Sequence, residues 1–324
     1  MKRNSANHKR IKLTTLLFAI VSVIILYQSN IKKDDTVLIQ ISANSENADN
    51  DAYSTENSLF RLDFIDVGQG DSTLIESPNG KFMLIDAGTS QSARKVCDYL
   101  QSRGVSEIEY LIFTHPHEDH IGGGVKAVEN FSVKNVLMTK KAANSAIYER
   151  LIDALLQSKE QNGTKITAPA VSDIYAFDGA EFEILSADGD NSDSNNSSIV
   201  LRLTYGDCSF MFTGDAEKSI EKSIVSSKKD IGCVLLKCGH HGSSTSNSTE
   251  FLQAVCPSAA VISCGLDNSY GHPHTETLSR LNSIGARIFR TDELGDIVFE
   301  CDGEKLCYID NYENAENGGN SKAA

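Results

Sequence analysis

Residues 114–124 read Thr114-His115-Pro116-His117-Glu118-Asp119-His120-Ile121-Gly122-Gly123-Gly124, directly after the apolar run Ile108-Glu109-Tyr110-Leu111-Ile112-Phe113. A buried strand therefore runs into a loop that carries three of the chain's eight histidines and then turns into a helix. His115 and His117 stand two apart, so extended backbone points both imidazoles to one side. Asp119 and His120 follow where the chain turns and reach a second, nearby point. Imidazole nitrogen and carboxylate oxygen are ligands of zinc, manganese and iron. Two such ions about 3.5–4 Å apart suit hydrolysis, because one activates the attacking water and the other binds the substrate oxygen. A polar surface loop, the plainer reading, leaves three histidines within six residues unexplained.

Three later loops extend this chemistry. Thr213-Gly214-Asp215 follows the apolar Phe210-Met211-Phe212, and a carboxylate at a strand mouth suits a ligand shared by both ions. Gly239-His240-His241-Gly242-Ser243 follows Val234-Leu235-Leu236-Lys237. His240 is the next metal candidate. His241 is either a ligand or a catalytic group that holds a substrate oxygen and carries a proton. Ser243, Ser244 and the loop backbone can donate hydrogen bonds to a phosphate. In Asn268-Ser269-Tyr270-Gly271-His272-Pro273-His274, His272 is a catalytic candidate and His274 a substrate clamp, although Pro273 also suits a helix start. Asp66, Asp71 and Asp86 end strands near the same mouth, where each can accept a hydrogen bond from the far nitrogen of a ligating histidine and fix its tautomer.

Periodicity places short strands at 62–67, 72–76 and 82–85, joined by Gly- and Pro-containing turns. Helical spacing marks 93–103, 123–131, 142–157, 216–227, 249–255 and 274–284, with further strands between them. Two strand-rich halves, each with late helices, imply an α+β chain with two sheets face to face and helices outside.

The HxHxDH pattern of His115, His117, Asp119 and His120 resembles the signature of the metallo-β-lactamase superfamily. The resemblance implies an αββα four-layer sandwich and gives Asp215 the role of bridging aspartate. In order, DVGQGD at 66–71, LIDAG at 84–88, THPHEDHIGG at 114–123, SSIVLRL at 197–203, FTGD at 212–215, GHHGS at 239–243 and YGHPH at 270–274 resemble the metallo-β-lactamase-like domain of the ComEC-type competence proteins. That likeness covers about 60–310 and lacks the family's multi-helix membrane channel. Members bring another histidine between the first loop and the bridging aspartate, yet none occurs here from 121 to 239. His241, His272 or Asn196 is then left to replace it, and an amide oxygen keeps manganese open beside zinc. The resemblance implies a dinuclear, metal-dependent hydrolase with two divalent ions, zinc or manganese. A hydroxide on the ions would attack a phosphodiester such as DNA, with Asn196, Ser243, Ser244 and His274 on the phosphate. Hydrolysis of a cell-wall ester, lactone or lactam, and a non-catalytic tethered binding domain, are the competing readings.

The chain has 324 residues and a net charge of -14, so it carries no general nucleic-acid surface. Residues 1–12 are basic and 13–27 are uncharged and apolar, which reads as an uncleaved signal anchor or a signal peptide over 1–30. A membrane partner and a place outside the cytoplasm, anchored at the cell surface or secreted, follow from that reading. Residues 31–59 read as a polar linker with a short apolar exception at 36–39, 60–310 as the hydrolase domain and 311–324 as a loose tail. Of the eight cysteines, Cys301 and Cys307 flank a hairpin-like turn and are the expected disulfide pair.

Overall fold

A computed structural model describes residues 40–42, 59–189 and 193–309 of the chain. Among them, one sheet runs in the order Gln40–Ser42, Leu306–Ile309, Ile297–Cys301, Phe60–Phe64, Thr73–Glu76, Phe82–Ile85, Glu107–Phe113, Ser132–Met138, Lys165–Thr167. The other runs Arg287–Arg290, Ala259–Ile262, Leu235–Lys237, Cys208–Phe212, Val200–Tyr205, Ala180–Ser186, Ile174–Phe177. The pairs that flank the histidine loop, Phe82–Ile85 with Glu107–Phe113 and Cys208–Phe212 with Leu235–Lys237, are parallel. Their carboxyl ends therefore open on one side of the molecule.

Alternation along the strands builds three apolar layers. Ile112, Phe60, Phe64 and Phe299 of the first sheet meet Phe210, Phe212, Leu235 and Val261 of the second in the central core. Leu111 and Phe113 point the other way and pack with Val96, Leu100, Leu151 and Leu155 of the helices Ala93–Ser102 and Ala146–Asn162. Met211, Leu236 and Ala260 do the same against Ile220, Phe251 and Leu281 of Lys218–Ser226, Thr249–Val255 and Thr275–Ser283. Both faces of each sheet are covered, so strands such as 108–113 read as near-continuous apolar runs. This is the αββα sandwich. The longest helix starts later than periodicity suggested because Ser145 accepts a hydrogen bond from the Tyr148 N–H, and it stops at Gly163 in the left-handed region.

Three expectations change. The anchor at 1–30, the exception at 36–39 and the tail from 311 fall outside the described residues. Among the described residues no helix is long and apolar enough to cross a membrane. The longest, Ala146–Asn162, has 17 residues and includes Glu149, Arg150, Asp153, Lys159 and Glu160. The membrane partner and the membrane-anchored placement are corrected on that finding, since no described element is a membrane span. Within the linker expected over 31–59, Gln40–Ser42 pairs in parallel with Leu306–Ile309.

The disulfide pairing is corrected too. All eight cysteines are free thiols. The hairpin register sets Cys301 opposite Leu306 and Glu300 opposite Cys307. Cys301 and Cys307 therefore leave the sheet on opposite faces. Cys301 lies in the central core, hydrogen-bonded to the Cys208 thiol of the facing sheet. Only Cys256 is exposed. Titration of the native protein with a thiol-reactive disulfide is expected to show one fast thiol, lost in Cys256→Ser, and all eight only in denaturant. Several fast thiols would contradict the packing described.

Candidate metal centre

The histidine loop is fixed by its neighbours before any ligand is considered. The Ala87 N–H donates to the His120 carbonyl at 2.8 Å and the Asp71 N–H to the Asp119 carbonyl at 3.1 Å. That second approach requires glycine at 70, where φ is +147° and a Cβ would come within 2.5 Å of the Asp119 carbonyl oxygen. Ser198 Oγ accepts the Asp215 N–H at 3.1 Å, and the Gly214 carbonyl accepts the His240 N–H at 3.1 Å. His240 and His241 both hold left-handed backbone, with φ of 51° and 52°. Non-glycine residues adopt that conformation at a cost of order 1–3 kcal/mol each, and such residues cluster at functional sites.

Two groups of donors result. His120, His241, Asp71 and Asp215 form one, and His115, His117 and Asp215 the other, with the ligand atoms of each within 4.8 Å of one another. In the second group His115 Nε2 is 3.0 Å from His117 Nδ1 and 3.6 Å from Asp215 Oδ2. In the first, His120 Nε2 is 3.4 Å from Asp215 Oδ1. His241 Nε2 is 3.1 Å from Asp119 Oδ2 and 3.7 Å from Asp215 Oδ2. Bonds of 2.0–2.1 Å in tetrahedral array separate their donor atoms by about 3.3 Å. The observed separations fall around that value. His120 Nε2 and Asp215 Oδ1 are moreover buried without a hydrogen-bond partner. Such atoms are costly unless something else binds them, and a divalent ion fits both. The residues suit a pair of divalent ions that share Asp215, and this cluster supports a metal-dependent hydrolytic enzyme.

The ring nitrogens that face away are held. His120 Nδ1 is 2.7 Å from Asp86 Oδ2, and Asp86 also accepts from the Thr114 N–H and hydroxyl. His241 Nδ1 is 3.0 Å from the Ser263 carbonyl. A carbonyl only accepts, so Nδ1 carries the proton and Nε2 is left for the cluster. Asp71 stands behind the same ring, with Oδ1 3.2 Å from His241 Nδ1 and Oδ2 2.8 Å from the buried Lys237 Nζ.

The acids dominate the local titration. Burial disfavours a charged His241, but Asp215 and Asp71 outweigh it and lift the imidazole to about 10. His120, opposed by burial and favoured by Asp215 and Asp86, is raised well above its usual value. Burial would lift Asp119, yet His120 and the His241 hydrogen bond pull it down to about 2. His115 and His272 go the other way, His272 to about 4, because burial and neighbouring imidazoles oppose their charge. Metal must therefore displace protons from His120 and His241. Calorimetry in buffers of different ionisation enthalpy is expected to show about two protons released per loaded chain near pH 7, and affinity rising with pH. Proton-independent binding would contradict the assignment. For the metal-free chain the sign follows from the raised His241. The stability it contributes is full below its unfolded value near 6.5 and is lost as pH rises through about 10. The metal-free protein should therefore melt lower at pH 10 than at pH 6.5.

A cleft of about 300 Å³ opens onto these groups, lined by Gln69, His117, Glu118, Asp119, Asn195, Asp215, His240, His241, Tyr270 and His272. Several expected residues stand elsewhere. Asn196 is committed at both ends, accepting the Glu217 N–H and donating to Asp193. Ser243 bonds within its own loop, accepting the Thr245 N–H, Ser244 donates its N–H across to His274 of the 268–274 loop, and His274 also reaches the Tyr270 carbonyl. None of these four lines the cleft. His240 lines it but lies outside both donor groups, where His241 stands instead. Asp66 stands behind no histidine; it accepts the Gly68 N–H and pairs with Lys95. Gln69, Glu118, Asn195 and Tyr270 line the cleft without having been anticipated, and Lys237 was missed behind it. Asn195 Oδ1 is buried there with no hydrogen-bond partner. The lysine that closes the apolar run 234–237, directly before Gly239-His240-His241, was the available signal.

Residues 65–265, more than half of the chain, match the family model described as "Metallo-beta-lactamase superfamily". The "ComE operon protein 3" of Bacillus subtilis (strain 168) is 31% identical over 265 residues, 76% of this chain and 34% of its own length. The "Competence protein ComA" of Neisseria gonorrhoeae is 33% identical over 237 residues, 72% of this chain and 31% of its own. The chain thus spans about a third of the length of these curated relatives. The crystal structure of CmlA, a diiron beta-hydroxylase from Streptomyces venezuelae, superposes with a TM-score of 0.53 at 15% identity, over 74% of this chain and 54% of that one. At that identity the likeness concerns the fold alone.

Proposed function

This chain belongs to the metallo-beta-lactamase superfamily, and from that premise we propose that it is a phosphodiesterase whose substrate is nucleic acid. The observation that carries the reading is Asp215, the one carboxylate common to both donor groups, with His115 Nε2 3.6 Å from Oδ2 and His120 Nε2 3.4 Å from Oδ1, on the lining of an open cleft. When bound, two divalent ions, zinc or manganese, neutralise the oxygens of a diester and lower the pKa of water. The likeness to competence proteins, and the DNA substrate that the resemblance implies, support a nucleic-acid diester as substrate.

The chain's own residues divide the remaining work. His115 and His117 would hold one ion and His120 and His241, with Asp119 beside them, the other, and Asp215 belongs to both donor groups. Asn195 lines the same cleft with its Oδ1 buried and unpartnered, and an amide oxygen in place of the missing third imidazole would keep manganese open beside zinc. Asp86 and Asp71 face the Nδ1 atoms of His120 and His241, which aims each Nε2 inward for an ion to take once its proton has left. His272 acts on the substrate. Gln69 Oε1 is taken by the Gly265 N–H, so its amide faces His272 Nδ1 at 3.4 Å. Nδ1 then accepts, and the neutral ring presents Nε2–H to a phosphoryl or leaving oxygen.

A panel of a phosphodiester, a short oligonucleotide, a lactam, a lactone and a carboxylic ester, run with zinc and with manganese, tests the reading. Turnover of the two diesters well above the other three is expected. Turnover confined to a lactam, a lactone or a carboxylic ester would overturn it.

A further inference from the structure

We infer that Tyr270, seated on His272, is a stacking platform for an unpaired nucleobase beside the scissile phosphate, and that the substrate strand is held by this contact rather than by cationic side chains. The inference rests on the phosphodiesterase reading and names how that site selects its substrate.

Tyr270 is 66% exposed, unusual for so large a ring, and it lies on the rim of the metal cleft. It stacks on His272 with centroids 5.7 Å apart and planes 22° from parallel. His272 in turn meets the His240 ring edge to face at 5.6 Å. An aromatic stair thus descends from solvent to the imidazoles beside Asp215. The step is built to stay put. Asn268 accepts the N–H groups of Tyr270 and His272 through Oδ1 and donates through Nδ2 to the carbonyls of Gly265 and His272. His274 holds the Tyr270 carbonyl. With its backbone pinned at both the N–H and the carbonyl and its ring stacked on His272, Tyr270 offers a flat face whose placement leaves less ordering to do on binding.

The charge around it points the same way. Among the described residues that line the cleft none is Lys or Arg, while Glu118, Asp119 and Asp215 are acids. Lys237 lies behind the cluster but is paired with Asp71. Within the cleft the strand therefore lacks the Lys and Arg contacts through which proteins usually hold phosphates, and the ions with the neutral His272 are left to meet the scissile group. Base–aromatic stacking is the remaining general source of affinity, and it needs an unpaired base with an open face. Among the described residues only His272 stacks with Tyr270, and one open platform does not form the cage that a quaternary ammonium head group requires.

The test compares a short single-stranded oligothymidylate with an abasic strand of equal length, using the full metal-loaded chain. Cleavage gives KM, and anisotropy of labelled phosphorothioate strands gives binding without turnover. The unaltered protein is expected to favour the base-bearing strand by about 5- to 100-fold in both measures. That preference should collapse in Tyr270→Ala and persist in Tyr270→Trp. KM should change less than about threefold between 50 and 200 mM salt, where a protein with several phosphate contacts loses far more. Equal handling of the two strands, an unchanged preference in Tyr270→Ala, a steep salt slope, or a choline-bearing diester preferred over both strands would each overturn the inference. Diester cleavage without base preference sinks the platform and leaves the phosphodiesterase reading standing. Base-dependent binding without cleavage under any metal sinks that reading and leaves the platform.

Discussion

Asp215→Asn is expected to lower kcat/KM for diester hydrolysis by ~10³-fold or more, about 4 kcal/mol of lost transition-state stabilisation. The side chain keeps its size and loses its charge. It is the one carboxylate common to both donor groups, so its loss weakens both sites at once. Metal content measured by elemental analysis should fall from two ions per chain to at most one. A loss at a single-site residue such as His117 should leave the other group intact, and the two variants should differ in stoichiometry. A fully loaded, active Asp215→Asn protein would be incompatible with a bridging carboxylate.

Lys237→Met should produce the largest loss of stability. Lys237 Nζ is 2.8 Å from Asp71 Oδ2, and both side chains are almost wholly removed from solvent. Burial alone would lower the Lys237 amine and raise the Asp71 carboxyl, but each is reversed by the other, with His241 adding to the effect on Asp71. Removing the cation leaves a buried carboxylate with the His241 ring as its one remaining partner, which costs up to roughly 3–5 kcal/mol. For a chain of this size that is on the order of 10 °C in Tm. Because Asp71 also backs His241, metal affinity should drop by about 10- to 100-fold. Adding Asp71→Asn to the variant removes the orphaned charge and should restore part of the stability without restoring affinity. If the double variant melts no higher than Lys237→Met alone, the pair is not the source of the loss.

Much of this was legible in the sequence and some was not, for physical reasons. The loop 115–120 was readable because its ligands are local: spacing alone sets His115 and His117 on one side, and a buried strand before them fixes the mouth. Asp86 was readable for a similar reason, as a carboxylate ending a strand parallel to the one that feeds the loop. The choice between His240 and His241 was not. Neighbouring residues differ only in side-chain direction, and here that is set by two consecutive left-handed conformations that no spacing rule anticipates. Asn195 and Asn196 pose the same problem, since a single 3-10 turn over Asn195–Ser197 sends one to the cleft and the other into the backbone. The Lys237–Asp71 pair joins a strand end of one sheet to the loop before Thr73–Glu76 of the other, 166 positions apart, and only tertiary packing shows it. Cys301 and Cys307 misled because a turn brings their backbones together while the pleat turns their side chains apart.

The most direct measurement is a titration of the metal-free chain with manganese or zinc, in which bound ions and hydrolysis of a nucleic-acid diester are followed together. Activity is expected to rise with bound metal and to level off at two ions per chain. A chain that takes up no ions, or one that carries two and leaves every diester intact, would contradict the account.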